Sequence, residues 1–180
     1  MINTEIFSSF RDKSRVLIYS KTPSIAKCLV HILDFHQKEF DYIFADNSSS
    51  ISNQDFVILE SNNPEIATDF QPNIVLISTE TEAQDLQIIM ENIVSGGVLI
   101  FPKKFENEVE NSNQFFRKLS FDDFEVQEKN GITELQTEMG NIPLSFKDET
   151  LVKNLKGIKL ISQQFKVLEE DFYEPLMSFE

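Results

Sequence analysis

Glycine is scarce in this chain and missing from its first half. The 180 residues include five glycines, Gly96, Gly97, Gly131, Gly140 and Gly157. The first 95 residues therefore hold no glycine-rich loop of the kind that lets backbone N–H groups cradle a phosphate. Histidine is nearly absent. His31 and His36 stand five apart with no Cys or Glu cluster beside them, a poor basis for a zinc site or a histidine relay. The single Cys28 excludes an internal disulfide and fits a reducing cytoplasm. No Lys or Arg occurs between Lys38 and Lys103. No apolar run approaches the roughly 20 residues of a membrane span. The opening MINTEIFSSFRDKSR lacks the apolar stretch of a signal peptide.

What is present is acidic and phenylalanine-rich. Thirty Asp and Glu stand against 16 Lys and Arg, for a net charge of −14. The imbalance is concentrated in residues 51–100, which carry 8 acidic and no basic side chains. Such a surface repels nucleic acid and anionic lipid, both of which are bound mainly through cations. The expectation is no nucleic acid and no membrane partner, leaving a protein partner or a second copy of the chain. Hydrophobic residues make up 41%, with 17 Phe and no Trp, enough for a packed core.

The order of apolar runs predicts an α/β fold. Residues 15–20, 56–59, 73–77 and 98–101 read as buried strands, and 40–44 as another. Thr22-Pro23 opens a helix, with Thr22 as N-cap and Ile25, Leu29, Ile32 and His36 on one face, widened by Cys28 and Leu33. On that face Cys28 is inert packing. Residues 46–50 read as a polar loop. A second helix over 81–94 is expected to end at Ser95-Gly96-Gly97. Three short alternating segments follow, 124–127, 132–137 and 142–146. They are separated by Asn130-Gly131 and Gly140-Asn141, and read as an antiparallel meander. Helices over 149–164 and 169–179 close the chain. The predicted architecture is a three-layer α/β sandwich with a mostly parallel sheet and a small antiparallel β extension. Residues 1–14 form an N-terminal extension and 15–180 a single domain.

Catalytic constellations are weak. Ser48-Ser49-Ser50 has no His partner and no nucleophile elbow. Glu106, Glu108 and Glu110 alternate along a surface segment with nothing to raise a pKa. Phe115-Phe116 and Phe172-Tyr173 are candidates for an exposed contact patch, weighed against core positions.

Several pieces in order resemble the central domain of Mur ligases, and the murein peptide ligase branch in particular. They are Val16-Leu17-Ile18, Val30-His31-Ile32-Leu33, Phe40-Asp41-Tyr42-Ile43, Pro72-Asn73-Ile74-Val75-Leu76-Ile77-Ser78 and Gly96-Gly97-Val98-Leu99-Ile100-Phe101. The C-terminal third adds the stretch from Leu135 to Leu144, then Asn154-Leu155-Lys156-Gly157-Ile158-Lys159, then the stretch from Glu170 to Phe179. The resemblance spans about residues 15–179. It implies a domain from a three-domain ligase that uses ATP and magnesium to phosphorylate a carboxylate and join it to an amine. The chain stops at Glu180, about where the family's last domain would begin.

The same resemblance implies that the nucleotide site has degenerated. The family's phosphate loop, Gly-(Ser/Thr)-x-Gly-Lys-(Thr/Ser), corresponds to Tyr19-Ser20-Lys21-Thr22-Pro23-Ser24, which has no glycine and carries a proline that lacks an N–H. Lys21, Thr22 and Ser24 are vestigial nucleotide-site positions. Asn154 matches the last Asn of the adenine-contacting signature, whose His and first Asn fall on Thr150 and Leu151; a capping or turn role is its structural alternative. Glu60 is kept from the family's acidic magnesium run, while Asn62 and Asn63 replace the later acids. A strand-end surface acid or a helix partner is the alternative reading of Glu60. The segment from Ser78 to Asp85 has no match to the family's Asp-His motif.

The resemblance implies no catalytic residue and no cofactor. The expected function is a non-catalytic pseudo-ligase domain with a binding or regulatory role, linked to cell-wall peptide metabolism. One alternative is an ATP-dependent UDP-N-acetylmuramate–amino acid or peptide ligase module completed by a partner chain. The other is an unrelated acidic α/β interaction domain.

Overall fold

The computed structural model describes residues 4–180. A seven-stranded sheet in the order β3-β2-β4-β1-β5-β6-β7 forms its centre. The strands are β1 (Ser14–Tyr19), β2 (Asp41–Ile43), β3 (Ser49–Ser50), β4 (Phe56–Ser61), β5 (Ile74–Ile77), β6 (Gly97–Pro102) and β7 (Phe116–Phe121). All neighbours are parallel except β2 and β3. A second sheet, β10-β9-β8, is antiparallel, from β8 (Val126–Lys129), β9 (Ile132–Thr137) and β10 (Gly140–Pro143).

Period-two alternation splits the central strands between two cores. Val16, Ile18, Ile58, Leu76 and Ile100 face α1 (Pro23–Phe35) and α5 (Glu149–Gln164). Leu17, Tyr19, Val57, Leu59, Val75, Ile77, Leu99 and Phe101 face the other side, under α2 (Ile66–Phe70) and α3 (Ala83–Glu91). Burial on both faces explains why these strands read as continuous apolar runs. This is the expected three-layer arrangement with its antiparallel extension.

In the sheet β1 lies between β4 and β5, which follow each other in the chain. Joining parallel strands requires a crossover, and the short helix α2 supplies it. Several local expectations are corrected. The 46–50 segment is not all loop, since Ser49–Ser50 pairs with β2. α3 ends at Glu91 with Asn92 as its cap, short of Gly96, whose φ of +83° serves the turn into β6. Residues 106–110 form the short helix α4 (Glu106–Glu110). The 116–121 segment is β7, parallel to β6. The β9–β10 turn is Glu138-Met139, with Gly140 and Asn141 already in β10, whereas Asn130 and Gly131 do form the β8–β9 turn with positive φ at both. The expected last helix is two 3-10 turns, Glu170–Phe172 and Glu174–Met177, the second with Pro175 in its first turn. Of the candidate contact patch, Phe116, Phe172 and Tyr173 are buried and Phe115 is exposed.

Phe7 and Phe10, on the 3-10 helix Thr4–Phe10, are buried in the α2–α3 core. Asp41, fully buried at the start of β2, accepts from Lys13 Nζ at 2.8 Å, Ser52 N at 2.7 Å and Gln54 N at 3.1 Å. Burial alone would raise its carboxyl, and these donors outweigh that and hold its pKa below the ordinary value. Both histidines donate to backbone carbonyls of the C-terminal turns, His31 to Pro175 and His36 to Asp171. Cys28 is buried, and desolvation pushes its thiol pKa far up. Among the described residues no helix is long and apolar enough to cross a membrane.

Gly157 marks the closest approach of α5 to the sheet. A Cβ there would lie 2.7 Å from Phe121 Cε1 and 2.8 Å from Leu76 Cδ1. Gly157→Ala is expected to destabilise the protein by about 1–3 kcal/mol through overpacking. Urea denaturation checks this, and an unchanged midpoint would contradict the tight crossing.

Candidate functional site

In open α/β sheets ligands bind beyond the carboxyl ends of the parallel strands. Here that edge is formed by the turn Ser20-Lys21-Thr22 after β1, the β4 end at Glu60-Ser61, and the 78–82 loop after β5. β1 lies between β4 and β5, which brings all three together. Ser20 N donates to Ser61 O at 3.1 Å and Ser78 N to Tyr19 O at 3.1 Å, so the sheet pairing runs into the loops.

The β1–α1 turn is occupied by the chain's own carboxylate. Glu80 Oε1 accepts from Lys21 N at 2.8 Å and from Ser20 Oγ at 2.8 Å. Glu80 Oε2 accepts from Thr22 Oγ1 at 3.0 Å. Ser20 Oγ in turn accepts from Thr22 N at 2.8 Å. Thr22 does sit at the N-cap with Pro23 at the first helical position, yet its hydroxyl makes no cap bond because it is turned to Glu80. The Lys21 ammonium reaches Glu82 at 3.2 Å, an exposed pair that adds little stability.

The loop that carries Glu80 is held from two sides. From α5, Asn154 Oδ1 accepts from Thr79 N at 2.9 Å, and Nδ2 donates to Thr79 Oγ1 at 2.9 Å and Thr150 O at 2.8 Å. After β6, Lys104 Nζ donates to Thr79 O at 2.6 Å and Thr81 O at 3.3 Å. Ser78 Oγ and Thr81 Oγ1 bond across the loop at 3.2 Å.

The residues singled out in sequence thus fall in three groups. Lys21, Thr22 and Asn154 converge on the 78–82 loop. Ser24 does not join them, because its hydroxyl donates to Asp148 Oδ2 at 2.6 Å while Asp148 Oδ1 caps α5. Glu60 lies on the α1 side of the sheet and is not a surface acid, being 2% exposed. Its Oε2 accepts from Ala45 N at 3.1 Å. Desolvation raises its carboxyl pKa, with the Ala45 N–H pulling the other way. Among the described residues, no group of three or more His, Cys, Asp or Glu is arranged to hold a metal. Sequence reasoning missed Glu80, which carries no motif. The available signal was positional, since an acid three residues past β5 lies beside the turn of a neighbouring parallel strand.

Phosphates of a bound nucleotide fit these residues poorly. The Lys21 N–H and the Ser20 and Thr22 hydroxyls already serve a carboxylate, Pro23 offers no N–H, and a phosphate there would meet Glu80 and Glu82.

No protein-family model matches the sequence, nor does any curated protein at a significant level. Solved structures do match. One is UDP-N-acetylmuramoylalanyl-D-glutamyl-2,6-diaminopimelate–D-alanyl-D-alanyl ligase from Acinetobacter baumannii, at 15% identity and a TM-score of 0.75, covering 98% of this chain and 48% of that one. Another is the UDP-N-acetylmuramate:L-alanyl-gamma-D-glutamyl-meso-diaminopimelate ligase from Neisseria meningitides, at 9% identity and a TM-score of 0.73, covering 98% of this chain and 69% of that one. A point mutant of L. casei folylpolyglutamate synthase matches at 8% identity and a TM-score of 0.64, covering 98% and 65%. The chain spans about half the length of the Acinetobacter ligase. At these identities the likeness establishes the fold: a partial Mur ligase-like architecture, that of the central α/β domain.

Two outcomes follow from the site. Glu80→Ala is expected to cost about 2 kcal/mol, from loss of its charge-assisted hydrogen bonds, and Glu80→Gln less. Urea denaturation with amide exchange at Lys21 checks this, and unchanged exchange at that amide would contradict the bond. Glu60 is the opposite case, because its pKa is raised on folding. Its contribution to stability is full below the unfolded value and lost as pH rises through the folded one. Glu60→Gln, which keeps an acceptor for Ala45 N, is expected to be at least as stable as the parent at neutral pH and to lack that part of the pH dependence. Stability curves of both proteins from acid to neutral pH test it. A variant weaker at neutral pH by more than about 1 kcal/mol would contradict it.

Proposed function

We infer that this chain is a pseudo-ligase domain: a Mur ligase-like fold whose nucleotide site is closed by its own Glu80 carboxylate. It acts by binding or regulation in the cytoplasm, in connection with cell-wall peptide metabolism, through a protein partner or a second copy of itself. The observation that carries this reading is the seating of Glu80 on the Ser20-Lys21-Thr22 turn. The absence of glycine from the turn and the ion pair of Lys21 with Glu82 support it. The ligase titles of the structural neighbours motivate the link to peptidoglycan chemistry.

The alternative is an ATP-dependent ligase module completed by a partner chain. On its side is a folylpolyglutamate synthase neighbour solved as a complex with AMPPCP and folate, at a TM-score of 0.66. Isothermal titration with ATP and magnesium separates the two. No saturable heat is expected, and a micromolar dissociation constant would overturn the pseudo-ligase reading.

A further inference from the structure

A cleft of about 370 Å³ opens between the antiparallel sheet, α5 and the C-terminal turns, within the size range of small-molecule sites. None of its lining residues belongs to the β1–α1 turn or the 78–82 loop. Two buried rings form its floor, Phe124 and Tyr173, packed edge to face at 6.3 Å. Two ammonium groups stand over that floor. Lys156 Nζ lies 5.3 Å and Lys159 Nζ 5.6 Å from the Phe124 centroid, and Lys159 Nζ also lies 6.0 Å from that of Tyr173. Three residues apart on α5, they share one helix face.

The charges are layered. Lys156 pairs with Asp122 at 2.5 Å and Lys159 with Glu169 at 2.7 Å. The lysine side chains are 31% and 16% exposed, their carboxylate partners 64% and 61%. The cations are therefore inside and the anions outside. Solvent-facing carboxylates gain little from such pairs. An incoming carboxylate can replace them without stripping water from a further cation. Met139, 60% exposed at the rim, adds a polarizable contact for a ring. Glu125 and Glu138 on the outer rim favour a singly charged anion over phosphate.

We propose that this cleft binds a small aromatic carboxylate, its ring on Phe124 and Tyr173 and its carboxylate between Lys156 and Lys159. The site is independent of the closed nucleotide turn. The test is titration of the 15N-labelled protein with phenylacetate, with phenethylamine as cationic counterpart and with inorganic phosphate. Phenylacetate is expected to give saturable amide shifts clustered at Phe124, Met139, Lys156, Lys159 and Tyr173, and the other two compounds none there. Replacing both lysines by Met keeps their alkyl stems and is expected to weaken binding at least about tenfold. Glu169→Gln, which removes a competing carboxylate, is expected to tighten it. No saturable shift, equal shifts with phenethylamine or phosphate, or unchanged binding in a folded Lys156→Met, Lys159→Met double variant would overturn the proposal.

Discussion

The hydrogen bonds from Lys21 N, Ser20 Oγ and Thr22 Oγ1 to the Glu80 carboxylate tie together the end of β1, the start of α1 and the loop after β5. A parallel sheet delivers its strand ends to one edge, and every polar group stranded there needs a partner. A ligand is one source of partners. Here the partner comes from the chain, and the surrounding structure is arranged to hold it. Asn154 reaches out of α5 and Lys104 from the segment after β6, so two separate elements fix the loop that presents Glu80. Such support is characteristic of a preorganised site, and in this fold its beneficiary is an internal carboxylate.

Composition makes the same point electrostatically. The stretch from Lys38 to Lys103, free of other basic residues, supplies both acids at this turn, Glu80 and Glu82, and also Glu60 at the end of β4. An edge built to receive phosphate gathers cations and backbone donors. This edge gathers carboxylates. The Lys21 ammonium is turned to Glu82 in solvent and does not face inward, and that of Lys104 is spent on the carbonyls of Thr79 and Thr81.

Much of the fold was legible because both faces of the sheet are covered. β1, β4, β5 and β6 announce themselves as apolar runs, and α1 and α5 by their spaced inward residues. The elements that escaped are those whose identity depends on distant neighbours. α2 is five residues long and exists to carry the chain over β1. β7 mixes exposed and buried residues because it is an edge strand. The site divided in the same way. The positions of Lys21, Thr22 and Asn154 followed from their places in the chain order, but their partners did not. Glu80 stands 59 residues from Lys21 in sequence and meets it only through the adjacency of β1 and β5. The burial of Glu60 is likewise set by its register opposite Ile18, which no local pattern reveals.

The β1–α1 turn and the cleft beside α5 are electrostatic inverses. At the β1–α1 turn the carboxylate of Glu80 lies inside, bonded to backbone and hydroxyl donors, and the lysine lies outside, with Lys21 51% exposed. In the cleft beside α5 the lysines lie inside over aromatic rings and the carboxylates lie outside, above 60% exposed. An anion approaching the first site must displace a carboxylate that several bonds secure and that the fold braces. At the second it must displace carboxylates that solvent already competes for. The proposed anion site thus rests on the layering of charge and not on the net charge of −14. On the proposed reading, the strand-end edge that the fold reserves for ligands is the less receptive of the two, and the cleft beside α5 is the better seat for an anion.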